Sequence, residues 1–494
     1  MKNLGLLLTI PILGMAQSAV PVPKVTGPIA VTADSYPLAA ASRLQTKYDL
    51  AKAGYVEEEF LVSGTANVYT WNADNSISVK TANAPYTTRI LVRRPADAAK
   101  FSGDVIVENL ENTRAYDWNF IWAYSADHFM EHGDAWVGIT HLPAAIAALK
   151  KFNPTRYASL SMANPNPAEA CGARNETSDS EEGLRWDMMS QVGALLKSGT
   201  GPMAGYRVEY VFGSSHTGDV QTYANAIHSH AKLANGKPVY DGYVAKTDVA
   251  PSRISRCSQP PTEDDQRRRV VHGTDVPFIK VISQGDVPVS TKERRADSDD
   301  PNDKYRLYEV AGASHMDYYL YHNMPVVEDQ VKAGATPFLA QWPLAYQCTP
   351  ETPTPAWPAY RYAVDAAFQN LDTWVRKGIA APKAERIALN DDKTHSIVPD
   401  KFGNATGGVR SPYVDVPTAT YYPNSGGPAI CHNVGHAEPF DWAKLQQTYG
   451  SPQAYGKKVG ESVDKLVKER WLTEADGKRI KAEVVAPGGT VAGK

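Results

Sequence analysis

Two adjacent serines in the stretch Gly213-Ser-Ser-His-Thr-Gly218 have the setting best suited to nucleophilic chemistry. The residues before the stretch alternate as in a buried strand, and those after it recur at helical spacing. They are Val208, Tyr210 and Phe212 on the strand side, and Val220, Tyr223, Ala224 and Ile227 on the helix side. The pattern predicts a strand that ends at Gly213 and turns sharply into a helix, with a serine at the apex.

Ser215 is the predicted nucleophile of the pair. A sharp turn of this kind needs small residues on both sides, because its apical backbone is strained and the strand and helix nearly touch. Ser215 has Gly213 two residues before it and Thr217 two residues after it, whereas Ser214 has a phenylalanine and a histidine there. Such clusters also form ordinary turns, so the prediction depends on the rest of the chain.

A serine hydroxyl attacks a carbonyl only when a base removes its proton and a third group orients the base. The chain supplies both partners in the order nucleophile, acid, base. Asp286 follows the apolar run that ends at Ser283, and His315 lies in a turn of small residues after the next strand. We predict a triad of Ser215, Asp286 and His315, with Asp248 and Glu309 as alternatives for the acid.

Stabilising the oxyanion that forms during such an attack requires two backbone amides. The amide of His216 is predicted by its position directly after the nucleophile. The second amide should lie in the loop after the strand 104–110, and Leu110 is preferred over Asn112.

Composition argues against several other classes of function. The chain has 494 residues, a formal net charge of −3 and 21% charged residues, so neither nucleic acid nor a membrane surface is a predicted partner. Residues 1–18 combine Lys2, a short apolar run and small residues, which is typical of a signal peptide. The run is too short to span a bilayer, so the mature protein is predicted to be secreted or periplasmic.

The four cysteines fit an oxidising compartment, since none forms a C-x-x-C pair. We predict two disulfides, with Cys171–Cys257 and Cys348–Cys431 as the preferred pairing. Asn175 and Asn404 begin glycosylation sequons, whose use the sequence leaves open.

The pattern of elements predicts an α/β fold: a mostly parallel sheet covered by helices on both faces. Short alternating segments before residue 100 should form an antiparallel edge. The predicted strands lie at 104–110, 134–140, 208–213, 240–245, 276–283 and 305–310, and the predicted helices include 117–131 and 360–375. Segments at about 142–205 and 316–358 are predicted caps, and residues 383–494 form an extension that becomes helical after Pro439.

Three other clusters contain residue types that bind metals or carry out chemistry. Cys431, His432 and His436 have metal-like spacing but lack further ligands, and Cys431 is better used in a disulfide. The acidic segment 297–303 lacks the glycine of a calcium loop, so a surface loop is preferred. His228 and His230 are predicted to face solvent. The sequence therefore predicts no metal and no cofactor.

The chain resembles the bacterial and fungal family of alpha/beta hydrolase domain-containing proteins. The resemblance rests on Gly213–Gly218, Tyr308–His315, Leu371–Gly378 and Gly403–Pro417, and extends from about residue 104 to near the C-terminus. It implies an α/β-hydrolase fold with Ser215 as nucleophile and His315 as base. Relatives usually carry Gln and Ser where this chain has His216 and Thr217.

Together these observations predict a secreted carboxylic ester hydrolase that works on a small-molecule ester through an acyl-enzyme. An amidase or peptidase with the same triad, or a non-catalytic binding protein on this fold, are the alternatives. Aromatic residues of the second cap segment are predicted to line an apolar substrate pocket. They are Tyr318, Tyr319, Tyr321, Phe338, Trp342, Tyr346 and Trp357. The sequence leaves the acyl and alcohol groups and the oligomeric state open.

Overall fold

A computed structural model describes residues 19–171, 178–317, 319–320, 323–337, 348–350 and 359–485. Its centre is a ten-stranded sheet in the order β1-β2-β3-β5-β4-β6-β7-β8-β10-β9. The strands are β1 Lys24–Thr26, β2 Tyr55–Trp71, β3 Ile77–Pro95, β4 Asp104–Asn109, β5 Ala135–Ile139, β6 Tyr210–His216, β7 Gly242–Lys246, β8 Phe278–Ser283, β9 Ser298–Asp300 and β10 Asp303–Val310. A separate hairpin joins β11 Ala419–Tyr422 to β12 His436–Pro439.

The central strands are parallel, as the alternation of strands and helices predicts. β5, β4, β6, β7, β8 and β10 pair in parallel along this order. Every residue of β4, β5, β7 and β8 is buried. Because successive side chains of a strand point to opposite faces, complete burial means that both faces of the sheet are covered.

Helices provide that cover. They are α1 Phe120–His132, α2 Pro143–Phe152, α3 Arg185–Lys197, α4 Thr217–Thr222, α5 Gln266–Arg269, α6 Val327–Lys332, α7 Ala359–Lys377, α8 Pro412–Asp415, α9 Trp442–Tyr449, α10 Pro452–Lys468 and α11 Glu474–Val485. α7 packs on β7, β8 and β10, and α1 packs on α7 and β5. No helix of the described segments combines the length and hydrophobicity that crossing a membrane requires.

The predicted antiparallel edge is present but much longer than the sequence indicates. β2 has 17 residues and β3 has 19, and they pair from Tyr55 with Pro95 to Trp71 with Ile77. Their outer halves carry polar residues and few apolar ones, so alternation alone does not reveal the length of the hairpin.

The segment around 142–205 contributes to the layer over the sheet, not only to a cap. α3 contacts β2, β4 and β6, and its apolar face is buried against them. Only the rest of that segment remains a candidate cap. Most of the aromatic residues predicted for the second cap, from Phe338 to Trp357, lie outside the described residues.

The C-terminal extension contains regular elements ahead of its helical tail. They are the β11–β12 hairpin and α8. The helical tail is present as predicted, and Val463 and Leu466 of α10 are buried. Asn404 of the second sequon is also buried, where it donates to the Ala419 carbonyl and accepts from the Tyr421 amide, so its side chain is not available for glycosylation in the folded chain.

Candidate active site

The carboxyl ends of the parallel strands form the edge where α/β proteins place their sites. β5 lies on one side of β4, and the next strand along the chain, β6, lies on the other side. The direction in which strands are added to the sheet therefore reverses at β4. Ligands bind in the crevice at such a switch point. Ser215 lies here, near the end of β6.

The backbone at Ser215 differs from the predicted strained turn. β6 does not stop at Gly213 but continues to His216, with Ser215 paired to Ala245 of β7, and α4 begins at Thr217. Ser215 is not among the residues with positive φ. Parallel pairing with β7 supports the strand through Ser215 to His216, whereas pairing with β4 ends at Ser214, and the β7 pairing satisfies backbone groups that a turn would leave free.

The small residues flanking the serines are nonetheless required by packing. A Cβ at Gly213 would lie 2.8 Å from the ring of Tyr243, and one at Gly218 would lie 2.4 Å from the carbonyl oxygen of Ala250. Glycine therefore permits both β6 and the following helix to approach their neighbours closely.

The two serine hydroxyls have different partners. Ser215 Oγ donates to the backbone carbonyl of Asn109 on β4 at 3.0 Å, and Ser214 Oγ donates to that of Val244 on β7 at 2.7 Å. Both side chains are buried. Within the described part of the chain, neither hydroxyl has a hydrogen bond to His315.

The predicted acid and base lie in contact. His315 Nδ1 is 2.6 Å from Asp286 Oδ1, and the His315 side chain is 23% exposed. Asp286 lies in the first turn of a short 3-10 helix, Gln284–Val289, where its Oδ2 accepts from the amide and hydroxyl of Ser283. Burial acts to raise the pKa of Asp286, but the His315 imidazole and the Ser283 hydrogen bonds outweigh it and hold this pKa below its ordinary value.

The alternative acids are engaged elsewhere. Asp248 Oδ1 lies 2.6 Å from Lys280 Nζ. Glu309 is fully buried and accepts two hydrogen bonds of 2.6 Å from Arg294. Asp286 is the one of the three candidate carboxylates that contacts His315.

The predicted second oxyanion amide is not free. The amide of Leu110 donates to the carbonyl of Ile139 at 3.0 Å, which continues the pairing of β4 with β5. The amide of Asn112 is also occupied, by the Glu111 carboxylate at 2.9 Å. The Leu110 amide is thus already paired, because the parallel ladder extends one residue past β4, and its role as an oxyanion donor stays a prediction.

A second polar cluster beside Ser215 was missed by sequence reasoning. Asp219 Oδ2 lies 2.8 Å from His141 Nε2 and 3.3 Å from His216 Nε2, and Arg185 is 3.6 Å from its other oxygen. Burial acts to raise the pKa of Asp219, but the charges of His141, His216 and Arg185 outweigh it and place this pKa well below its usual value. His141 follows β5 directly, and that position at the carboxyl edge is the signal that could have revealed it.

Several other predicted residues have structural partners. His228 is buried, with Nδ1 2.7 Å from the Tyr243 hydroxyl and Nε2 2.6 Å from Asp275, so the prediction that it faces solvent is wrong. His230 is exposed. The acidic segment 297–303 forms ion pairs with Arg386, Arg306, Lys383 and Arg295.

Both predicted disulfides are present. Cys171 pairs with Cys257 and Cys348 with Cys431, with Cα–Cα distances of 4.8 and 5.5 Å. The bridges close long loops, with sequence separations of 86 and 83 residues. Such disulfides are typical of oxidising compartments.

Among the described residues, one group has ligand atoms spaced closely enough to hold a metal ion. It comprises Asp104, His132 and Asp134, at the amino edge of the sheet and therefore opposite Ser215. Arg376 already lies 2.6 Å from Asp104 and supplies a cation there. The group carries no role in the proposed chemistry.

Comparison with known proteins defines the family. The family model of the alpha/beta hydrolase domain matches residues 25–482, so the chain belongs to this family and has its fold. No curated protein matches the chain.

Solved structures with a similar fold include esterases and other hydrolases. The esterase Est22 is 11% identical over 59% of this chain and 83% of its own, with a TM-score of 0.31. A putative dienelactone hydrolase from Klebsiella pneumoniae is 11% identical over 56% and 95%, with a TM-score of 0.26. A poly(3-hydroxybutyrate) depolymerase, LpqC, from Bordetella parapertussis is 12% identical over 52% and 88%, with a TM-score of 0.27. These low values carry no argument about substrate.

Proposed function

We propose that this member of the alpha/beta hydrolase family is a secreted serine hydrolase of carboxylic esters, with Ser215, His315 and Asp286 as its triad. The observation that carries the proposal is the 2.6 Å contact between His315 and Asp286. The two residues follow the adjacent parallel strands β10 and β8, at the same edge of the sheet as Ser215.

The proposed chemistry begins with Ser215. Its hydroxyl proton passes to His315 Nε2 while Oγ bonds to the ester carbonyl carbon, and the carbonyl oxygen takes the negative charge. Asp286 holds the proton on Nδ1, so that Nε2 has a free lone pair. His315 then gives its proton to the departing alkoxide. Water repeats the sequence on the acyl-enzyme and releases the acid.

This sequence requires Ser215 Oγ to leave the Asn109 carbonyl. Catalytic hydrogen bonds are often absent or long in unliganded enzymes and form when substrate binds. The hydroxyl can move by rotation about χ1, which leaves the paired backbone of β6 in place.

A fluorophosphonate probe with mass spectrometry tests the nucleophile. We expect the label on Ser215, and we expect Ser215→Ala to lose label and at least roughly 10³-fold in ester turnover. Ser214→Ala is the matched control, because it removes the neighbouring hydroxyl and its bond to Val244 but should keep most of the turnover. A label on Ser214, or unimpaired turnover in Ser215→Ala, would refute the assignment.

The same experiment separates the alternatives. A non-catalytic binding protein would leave the probe unreacted, whereas an amidase or peptidase would react with it but prefer amides in a panel of matched esters and amides. The secreted location is supported by the two disulfides. N-terminal sequencing of exported protein should show cleavage after about residue 18, and retention of residues 1–18 would contradict it.

A further inference from the structure

Lys246, the last residue of β7, is buried among aromatic rings. Its side chain is fully buried, and within the described segments Nζ has no hydrogen-bond partner. Nζ lies 4.2, 4.0 and 4.1 Å from the centres of the Phe120, Tyr124 and Tyr360 rings. The faces of aromatic rings attract a cation, so these three rings form a cage suited to an ammonium group.

The cage lies among carboxylates of the site. Asp317, Asp286 and Glu111 are close enough to raise the pKa of Lys246, but burial is the stronger influence and lowers this pKa to about 7. Burial also raises the pKa of Asp317 to about 6.

A comparison with Lys280 shows that Lys246 is not an ordinary buried ion pair. Lys280 Nζ lies 2.6 Å from Asp248 and 3.2 Å from Glu293. For Lys246, no carboxylate oxygen of the described residues comes within salt-bridge distance. Burying an amine in this way costs free energy that an apolar side chain of the same length would not, so the fold alone gives no reason for a lysine.

We infer that Lys246 is a positioning residue of the triad, which acts through Asp286 and His315 as the internal counter-charge of the site. The inference rests on the proposed function. While Lys246 is protonated, its positive charge in the cage stabilises the ionised Asp286 and disfavours a second positive charge on His315. His315 thereby stays neutral, and able to accept the serine proton, at lower pH than it otherwise would.

The pH dependence follows from every charged group around the cage. The titratable groups that face it are Asp317, Asp286, Glu111, Tyr124 and Tyr360, together with His216, which pairs with Lys246 in the sheet. Lys246 is mainly protonated below about pH 7. Its influence on His315 is therefore present in acid and fades above about pH 8.

Titration of His315 by nuclear magnetic resonance tests the inference without a substrate. The His315 signal is assigned among the 12 histidines by its loss in His315→Gln. A unit charge about 10 Å away at an effective dielectric constant of about 20 shifts a titration midpoint by about one pH unit. We expect the midpoint of His315 to rise by roughly that amount in Lys246→Met, and to return in Lys246→Arg.

The matched control is Lys197→Met. Lys197 is a partly buried lysine that pairs with Asp241 at 2.7 Å, at the opposite edge of the sheet, and its loss should leave the His315 midpoint unchanged. If Lys246→Met does not fold, Lys246→Gln provides the same loss of charge with a polar side chain.

Ester turnover provides the second measurement. In Lys246→Met the acid limb of kcat/KM should move to higher pH by the same amount, with turnover lowered up to about tenfold at pH 6 and equal to the parent above about pH 8. An unmoved His315 midpoint, or a lowered Tm with no pH shift, would overturn the role of Lys246. Unimpaired turnover in Ser215→Ala and His315→Gln would instead overturn the proposed function, while the resonance titration would still decide the inference.

Discussion

Replacing Asp286 by Asn tests the proposed triad most directly, because it removes a charge and keeps the shape. Asp286 Oδ1 contacts His315 Nδ1 at 2.6 Å, and Oδ2 accepts from the Ser283 amide at 3.2 Å. The Ser283 amide can only donate, so it selects the Asn rotamer whose oxygen faces Ser283. The Asn amino group then faces His315 Nδ1.

That rotamer places His315 in the wrong tautomer. An Asn amino group donates to Nδ1, which must then carry the lone pair, so the ring proton lies on Nε2. Nε2 then has no lone pair with which to accept the serine proton. Turnover near pH 7 should fall by roughly 10³- to 10⁴-fold. Because Asn still accepts from Ser283, the free energy of unfolding should change by only about 1 kcal/mol.

The two alternative acids should behave in the opposite way. Glu309→Gln leaves Arg294 without the charge that binds it through two hydrogen bonds of 2.6 Å, and should cost about 3–5 kcal/mol of stability. Asp248→Asn should cost somewhat less, about 2–3 kcal/mol, because Lys280 keeps Glu293 at 3.2 Å. Both variants should retain most of their turnover when folded.

Urea unfolding and ester hydrolysis, measured side by side on the three variants, decide the assignment. We expect Asp286→Asn to lose turnover with little change in stability. We expect Asp248→Asn and Glu309→Gln to lose stability and to keep near-normal turnover. Near-normal turnover in Asp286→Asn, with collapse of turnover in a folded Asp248→Asn or Glu309→Gln, would refute the reasoning and move the acid.

Two further predictions concern the opposite edge of the sheet and the cap. The hydrogen bond to Asp134 raises the pKa of His132 to about 9, so this pair stabilises the fold fully below about pH 6.5 and its contribution is lost as the pH rises through 9. The His132 side chain is 45% exposed, so solvent screening reduces the contribution of the pair to about 1 kcal/mol. Asp134→Asn should therefore lower the free energy of unfolding more at pH 6 than at pH 10. Equal losses at the two pH values would contradict this prediction. Trp342→Ala and Tyr346→Ala should change the ranking of acyl and aromatic esters more than Tm, and an unchanged ranking with a lowered Tm would favour a packing role.

The parts of the site that could be predicted from the sequence are those set by chain order. Apolar runs locate parallel strands, and the residues just after them meet at the carboxyl edge of the sheet. Asp286 and His315 were found in this way, and the structure brings them into contact. The preferred pairing of the four cysteines is confirmed as well, and each bridge closes a long loop, with sequence separations of 86 and 83 residues.

The missed features depend on contacts between distant parts of the chain. Lys246 ends a strand, as many solvated lysines do, but helices α1 and α7 bring Phe120, Tyr124 and Tyr360 around it. No local pattern records such a cage.

His228 shows a different limit. The helix after β6 contains a π turn at Tyr223–Ile227, which inserts a residue and shifts the phase of the helical period. His228 follows this turn directly and is buried against Tyr243 and Asp275. The π turn has no signal in the sequence, so neither the shift nor these contacts could be predicted.

The position of Ser215 within β6 determines how much free energy is needed to bring its hydroxyl into a reactive position. Breaking the hydrogen bond to the Asn109 carbonyl costs about 0.5–1.5 kcal/mol, which corresponds to a rate factor of about 2 to 12. The triad is expected to supply roughly 10³- to 10⁴-fold, or about 4–5.5 kcal/mol, so the resting bond removes only a small part of it. Pairing of β6 with β4 and β7 on both sides opposes any change of the backbone. Rotation of the side chain is therefore the less costly route from the resting hydroxyl to a reactive one, and Ser215 can serve as the nucleophile without the strained turn that its sequence predicts.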